Sequence, residues 1–412
     1  MLDNHRNNFA RGVFSRKQKV LLYSLSFILG AVLCILFSLY KQEENRQIAC
    51  LETLDKQMKE EKRAIEDQMD TAYEAIEAIM DMYLPGIVCW GDSLTAGAGG
   101  EGTTYPLVLQ SLISQNLLDS FDTEKIAENL GGDPNAIVLS QFHLKQVDVI
   151  NMGVGGETTN TILGRNGAIP FVVAEDFIIP GNTEAVEINF MSQNGKVVAP
   201  LRQGNRGMDS VTIDGIEGVI QIEQDSHTGL EYKYFFQRNT SGEAMEIKAG
   251  TEIITSGSTQ YLKYIPVIFI GQNGGYDNIQ ELIDQQRAII DHQEMNMQNH
   301  GKFIIVGLHT GTAEARAELE AAMVEEYGEQ YINLREYMST DALADAGMEA
   351  TAEDKELMAT GSTPPSLLSD EVHFNATGYR LIGEQIYQRM EELGYFAEIR
   401  EEIEKSCGFD EI

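Results

Sequence analysis

The chain is 412 residues long, 43% of them apolar, and carries a formal charge of −34. That length admits two or more domains with cores of their own, and that apolar share excludes a disordered chain. The acidic balance excludes a nucleic-acid partner, because phosphate contacts need the opposite sign.

The first forty residues run against the rest. Arg6, Arg11, Arg16, Lys17 and Lys19 face only Asp3, a local balance of +4 that leaves −38 for the remaining chain. Behind this basic tail (1–19), Val20 to Leu39 reads VLLYSLSFILGAVLCILFSL and holds no charged residue. At about 1.5 Å per helical residue such a run spans roughly 30 Å, the thickness of a bilayer core. No small-residue cleavage site separates it from Lys41, so residues 20–40 are predicted to be an anchor rather than a signal peptide. Basic residues before the span and KQEEN after it place the N-terminus in the cytoplasm. The expected protein is therefore single-pass in the cell membrane, with an acidic extracytoplasmic body.

Residues 41–84 read as one long helix. With Ile48 at position a, the a and d sites are Ile48, Leu51, Asp55, Met58, Lys62, Ile65, Met69, Ala72, Ile76, Ile79 and Tyr83. All but Asp55 and Lys62 are apolar or aromatic, with Glu, Lys and Asp between them. Two readings stay open: a stalk pairing two copies as a parallel coiled coil, or a single amphipathic helix folded against the body. Pro85 and Gly86 end it. The cysteines suggest no disulfide framework: Cys34 sits in the span, Cys89 in an apolar run, and Cys50 and Cys407 far apart. No Cys or His spacing suits a metal, and no cofactor is implied.

From Gly86 onward, strand-length apolar runs alternate with amphipathic helical stretches. The runs are GIVCW (86–90), VDVINM (147–152), IPVIFIG (265–271), KFIIVGL (302–308) and QYINL (330–334). Helical stretches include 278–299, 313–327 and 376–393. This alternation predicts an α/β domain, a parallel sheet with crossover helices in three layers, over residues 85–169 and 264–412. Between them, 170–263 loses the helical period. Short β-branched or alternating runs are parted by Pro180-Gly181, Asn194-Gly195, Asp214-Gly215 and Ser241-Gly242, the signature of a small all-β insert. Its ends must lie close together.

Sites in open parallel sheets form at the carboxyl ends of strands. Four such ends carry candidates. IVCWGDSL places Ser93 straight after the first run, as a nucleophile or merely as the cap of a following helix. NMGVGGETT follows the second, where Gly153, Gly155 and Gly156 let backbone N–H groups approach a ligand. IGQNGG follows the third, with the Asn273 amide as a donor. Near the C-terminus, SDEVHF sets Asp370 three residues before His373, close enough in a turn for carboxylate to reach imidazole. Serine hydrolysis needs these parts: a nucleophile, a base, a group orienting the base, and donors to an oxyanion.

In order and spacing the four blocks resemble the SGNH (GDSL) hydrolase superfamily, over roughly Gly86–Ile169 and Ile265–Phe396. The resemblance implies a flavodoxin-like α/β/α sandwich and a Ser93–His373–Asp370 triad. It also implies an oxyanion hole built from the N–H groups of Ser93 and Gly156 and the amide of Asn273. The chain departs from the family where Gly274 stands in place of the usual acidic residue after Asn273. The implied activity is ester hydrolysis by acyl transfer, with no cofactor.

For an outward-facing enzyme with so acidic a body, a neutral O-acylated carbohydrate is the favoured substrate and polyanions are disfavoured. The family also holds lipases, thioesterases and transferases acylating wall glycans, and an inactivated hydrolase fold serving as a glycan-binding protein is a further alternative. Tyr232, Tyr234, Phe235 and Phe236 in the insert suit either sugar stacking or ordinary strand packing. The sequon Asn375-Ala376-Thr377 lies so near His373 that a glycan there would crowd the site. This favours a host without general N-glycosylation, such as a bacterium.

Overall fold

The computed structural model describes residues 16–83, 86–119, 148–224, 232–293 and 301–406. It divides into two compact units, Met1–Glu74 and Ala75–Ile412. The basic tail up to residue 15 and Cys407 lie outside the described residues.

A helix starts at Arg16 in the N-terminal unit and continues to Tyr83, within the second. It contains a segment long and apolar enough to cross a membrane, none of it buried. Beyond that segment Ile48, Leu51, Leu54, Met58 and Ile65 are also exposed, and Lys59–Asp55 (2.7 Å) and Lys62–Glu66 (3.5 Å) pair along the helix at i,i+4 spacing. The side chains of residues 68–85 lie outside the described residues.

In the second unit the chain runs through β1 (Ile87–Gly91) and β2 (Val149–Gly153). An antiparallel region follows with β3 (Phe171–Val173), β4 (Phe177–Ile179), β5 (Val186–Ile188), β6 (Phe190–Ser192) and β7 (Val211–Ile213). It continues with β8 (Ile216–Gln224), β9 (Tyr232–Arg238), β10 (Met245–Ile247) and β11 (Glu252–Thr255). The chain then returns to β12 (Ile265–Phe269), β13 (Ile304–Val306) and β14 (Tyr331–Ile332).

β1, β2, β12, β13 and β14 form one parallel sheet in the order β14-β13-β12-β1-β2. The first strand reverses the order at its neighbour, so the carboxyl end of β1 is a topological switch point, where crevices open in α/β sheets. Every residue of β1 is buried, as a strand covered on both faces requires. Ile87 and Cys89 face a core shared with helices Tyr105–Asp119 and Ala376–Glu392. Val88 and Trp90 face another, shared with helices Thr159–Asn166, Ile279–Gln293 and Ala313–Tyr327. Burial pushes the Cys89 thiol far up, so it is an inert core residue.

The region between β2 and β12 is antiparallel throughout its described strands. Seven of them run β5-β9-β8-β7-β11-β3-β6, and β10 pairs with β4. Alternation replaces continuous burial: in β11, Ile253 and Thr255 point inward while Glu252 and Ile254 face out. Asp214 and Gly215 both take positive φ (47° and 79°) between β7 and β8, which matches a two-residue type I′ hairpin turn. β3 and β11, the entry and exit strands, pair with each other at Phe171↔Ile253. This region therefore leaves and rejoins the parallel sheet through neighbouring strands.

Candidate active site

Gly91 closes β1, and Asp92 caps the short helix Ser93–Ala96 by accepting the N–H of Leu94 at 2.9 Å. Capping thus falls to Asp92, and Ser93 is the first residue of the helix, its hydroxyl free for other partners. Ser93 Oγ lies 2.9 Å from His373 Nε2, and His373 Nδ1 lies 2.7 Å from Asp370 Oδ2. The other carboxylate oxygen of Asp370 accepts the backbone N–H groups of His373 (2.7 Å) and Val372 (2.8 Å). Those bonds, led by the His373 N–H, hold the Asp370 carboxyl down to about 2.

The loop carrying Asp370 and His373 is tied at both ends. Ser369 N–H donates to His373 O (2.8 Å), and Leu368 and Phe374 form an isolated antiparallel bridge. Phe374 is buried edge-on against Tyr379, whose hydroxyl donates to Ala98 O at 2.7 Å. Asn375 caps the helix that follows, and its amide donates to Ser366 O at 2.8 Å. Its side chain is thus part of the loop's framework.

On the far side of β1, the loop after β2 carries Gly153–Glu157. Gly156 takes φ +72°, a conformation that favours glycine. Glu157 is buried and pairs with the buried Arg165 at 2.7 Å. Arg165 also donates to Met152 O (3.0 Å) and Arg206 O (2.7 Å). Burial raises the Glu157 carboxyl, and Arg165 opposes that rise.

Asn273 follows β12. Its amide donates to Asp92 Oδ2 (3.2 Å) and to Glu157 O (3.1 Å), which links three strand ends. The expected acidic neighbour is absent, yet the loop is held by other means. Thr159 N–H donates to Gly274 O (3.0 Å), and Asn160 and Gln285 amides donate to Gly275 O (2.6 and 2.9 Å). Asp92 is buried, and burial pushes its carboxyl up to about 6 against the Leu94 N–H.

Ser93, His373, Asp370, Gly156 and Asn273, drawn from sequence segments up to 280 residues apart, therefore converge at one end of the parallel sheet. Three contributors escaped sequence reasoning. Asp92 offers only a helix cap in the sequence, and Arg165 carries no motif. The third is Gln203, on the segment between β6 and β7. A methyl group built on Gly155 would meet Gln203 Oε1 at 2.3 Å and Ser93 Cβ at 3.8 Å. In the antiparallel region Phe236 is core, whereas Tyr232 stacks under Arg202 at 4.5 Å and Tyr234 packs on Phe190.

A cleft of about 510 Å³ opens beside Asp370, lined by Thr310, Ser362, Thr363, Ser369, Glu353 and Glu371 and by the apolar Leu357, Pro365 and Leu368. The buried His309 also lines it; its ring packs at a tilt on Phe374, centroids 4.2 Å apart, and burial drives it down to about 3, hence neutral. Among the described residues no cluster of three or more His, Cys, Asp or Glu is placed to hold a metal ion.

No family model matches the chain, and no curated protein matches it. Among solved structures, a peptidoglycan O-acetylesterase is similar over 78% of this chain and 95% of its own, at 13% identity and a TM-score of 0.25. A likeness that slight carries no argument about activity.

Proposed function

We propose that this chain is a serine ester hydrolase of the SGNH type that removes acyl groups from carbohydrate hydroxyls. The observation that carries the reading is the contact chain from Ser93 Oγ through His373 to Asp370, at 2.9 and 2.7 Å, at the switch point of a parallel sheet. In this reading the two cores on opposite faces of that sheet are the outer layers of an α/β/α sandwich, and residues 170–263 are an insert in it.

His373 Nε2 takes the proton from Ser93 Oγ as that oxygen bonds to the ester carbonyl carbon. Asp370, already held ionised, keeps the remaining imidazole proton on Nδ1 and stabilises the imidazolium. The carbonyl oxygen becomes an oxyanion met by the N–H groups of Ser93 and Gly156 and by the amide of Asn273. Both present bonds of that amide are at the long end of the hydrogen-bond range, so one of its hydrogens turns readily to a stronger acceptor. The bond from carbon to the alcohol oxygen then breaks, and that oxygen takes the proton from His373. Water, deprotonated by the same imidazole, attacks the acyl-enzyme, and the acid leaves as Ser93 regains its proton.

The alcohol sits on the side from which His373 protonates it, and the cleft beside Asp370, with both apolar and polar lining, suits the mixed faces of a sugar. Its carboxylates and the −38 balance of the chain beyond residue 40 disfavour an anionic one. The N-terminal helix is the membrane anchor in this proposal, with its basic end in the cytoplasm and the catalytic body outside.

The test follows hydrolysis of nitrophenyl acetate and of an O-acetylated neutral sugar by the purified full chain and by Ser93→Ala. Turnover of both esters that disappears on substitution is the expected result. Equal traces from both folded proteins would remove the enzyme reading and leave the binding-protein alternative.

A further inference from the structure

The segment from Ala199 to Gly207 crosses from the antiparallel region onto the loop after β2, and its backbone is pinned along its length. Ala199 N–H donates to Thr161 Oγ1 (3.3 Å), and Pro200 O accepts the Tyr234 hydroxyl (3.1 Å). Arg202 is held over Tyr232 and donates to its hydroxyl at 3.1 Å. Arg206 donates to Asn151 O (2.9 Å), to the Asn151 side chain and to Gly153 O (3.3 Å). Gly207 O accepts Gly257 N–H at 3.0 Å. Leu201 is forced to φ +66°, a conformation costly for a side chain of its kind.

Held at both ends in this way, the segment presents Gln203 over Gly155 and Gly156. The place where a methyl on Gly155 would sit is 2.3 Å from Gln203 Oε1 and 3.8 Å from Ser93 Cβ, and a methyl on Gly156 would be 3.2 Å from Gln203 Nε2. The carboxamide therefore closes the space next to the nucleophile on the β2 side.

Four groups surround the carbon in the tetrahedral intermediate. Ser93 Oγ and the oxyanion occupy two directions, and the alcohol must face His373. In the sheet, β2 lies on one side of β1, and β12 and β13 on the other. His373 belongs to a loop packed on His309, just past β13. The oxyanion turns to the Gly156 N–H on the β2 side, and the acyl chain runs next to it, past Gly155 and under Gln203.

We propose that Gln203 is the wall of the acyl subsite and restricts the enzyme to short acyl groups, of acetyl size. The proposal rests on the ester-hydrolase reading above. It makes Gln203 a specificity residue supplied by the antiparallel insert, acting through bulk.

The experiment measures kcat/KM for nitrophenyl acetate and nitrophenyl butyrate with the full-length chain, Gln203→Ala and Gln203→Leu. Methylene-scale fit in a pocket changes rates by roughly 10–200-fold. Gln203→Ala should raise the butyrate-to-acetate ratio at least about tenfold, whereas Gln203→Leu, which keeps the bulk and drops the amide, should hold it within about twofold. An unchanged ratio in Gln203→Ala overturns the wall. An equal rise in both variants overturns it too, since that would assign the effect to the amide's hydrogen bonds. Fluorophosphonate labelling of the same preparations separates the two levels: labelled Ser93 with an unchanged ratio defeats the wall alone, and an unlabelled wild type defeats both.

Discussion

The parallel sheet and the antiparallel region next to it bury their side chains in opposite ways, and they contribute to the site in opposite ways as well. β1 is buried along its whole length and runs into Ser93, whereas β11 alternates and ends in a tie, Thr255 Oγ1 donating to Arg165 O at 2.7 Å. The parallel strands deliver the groups that would touch a substrate's ester carbon. The antiparallel region delivers contacts that hold those groups, through Arg206 on Asn151 and Gly153 and through Arg206 O, which accepts the guanidinium of Arg165 from the helix after β2 at 2.7 Å. The difference teaches that the reacting atoms and the stiffness around them come from separate stretches of chain. Substitutions in the two regions should therefore fail differently.

The largest effect is expected at Asp370. Asp370→Asn keeps the shape but favours the wrong imidazole tautomer, and should lower kcat by about 10⁴ with an unchanged melting temperature. A change on the holding side should do the reverse. Arg165→Met leaves the buried Glu157 carboxylate unpaired and should cost about 3–5 kcal/mol. Urea unfolding followed through Trp90, the single tryptophan, reads this directly, because Arg165 lies 5.6 Å from its ring. Equal stability of Arg165→Met and wild type would erase the distinction between reacting and holding residues.

Asn273→Ala sharpens the comparison, since that side chain links strand ends and, in the proposed reaction, donates to the oxyanion. A loss of about 10²–10³ in kcat is expected, at little change in KM. The smallest effect concerns Asp92. Its carboxyl is raised from 3.8 to about 6 by burial, so the folded state disfavours the ionised form. The stability this group contributes is fully present below about pH 4 and declines as pH rises through 6. In Asp92→Asn that decline should vanish, and melting temperatures at pH 4.5 and 7.5 should lie closer together than in wild type.

Much of this was legible in the sequence, for physical reasons that differ by region. β1 and β12 announce themselves because strands covered on both faces must be continuously apolar, and the site blocks follow because chemistry dictates their residue types. Asp214-Gly215 was readable because few residue pairs accept positive φ twice in succession. Gln203 and Arg206 were not readable, since PLRQGNRGM obeys no period and its role depends on where an unrelated loop happens to lie. Arg165 likewise looks like a surface residue of a short helix until its partners, Glu157, Met152 and Arg206, are placed around it. The helix Tyr105–Asp119 was missed because it is apolar on more than one face and shows little amphipathic period.

The central claim is that Ser93 is a nucleophile activated by His373. It is tested most directly by treating the full chain with a fluorophosphonate and mapping the adduct by peptide mass spectrometry. The account predicts one adduct, on Ser93, abolished in Ser93→Ala and strongly slowed in His373→Ala. A folded wild type that carries no adduct on Ser93, or that labels equally fast without His373, would contradict it.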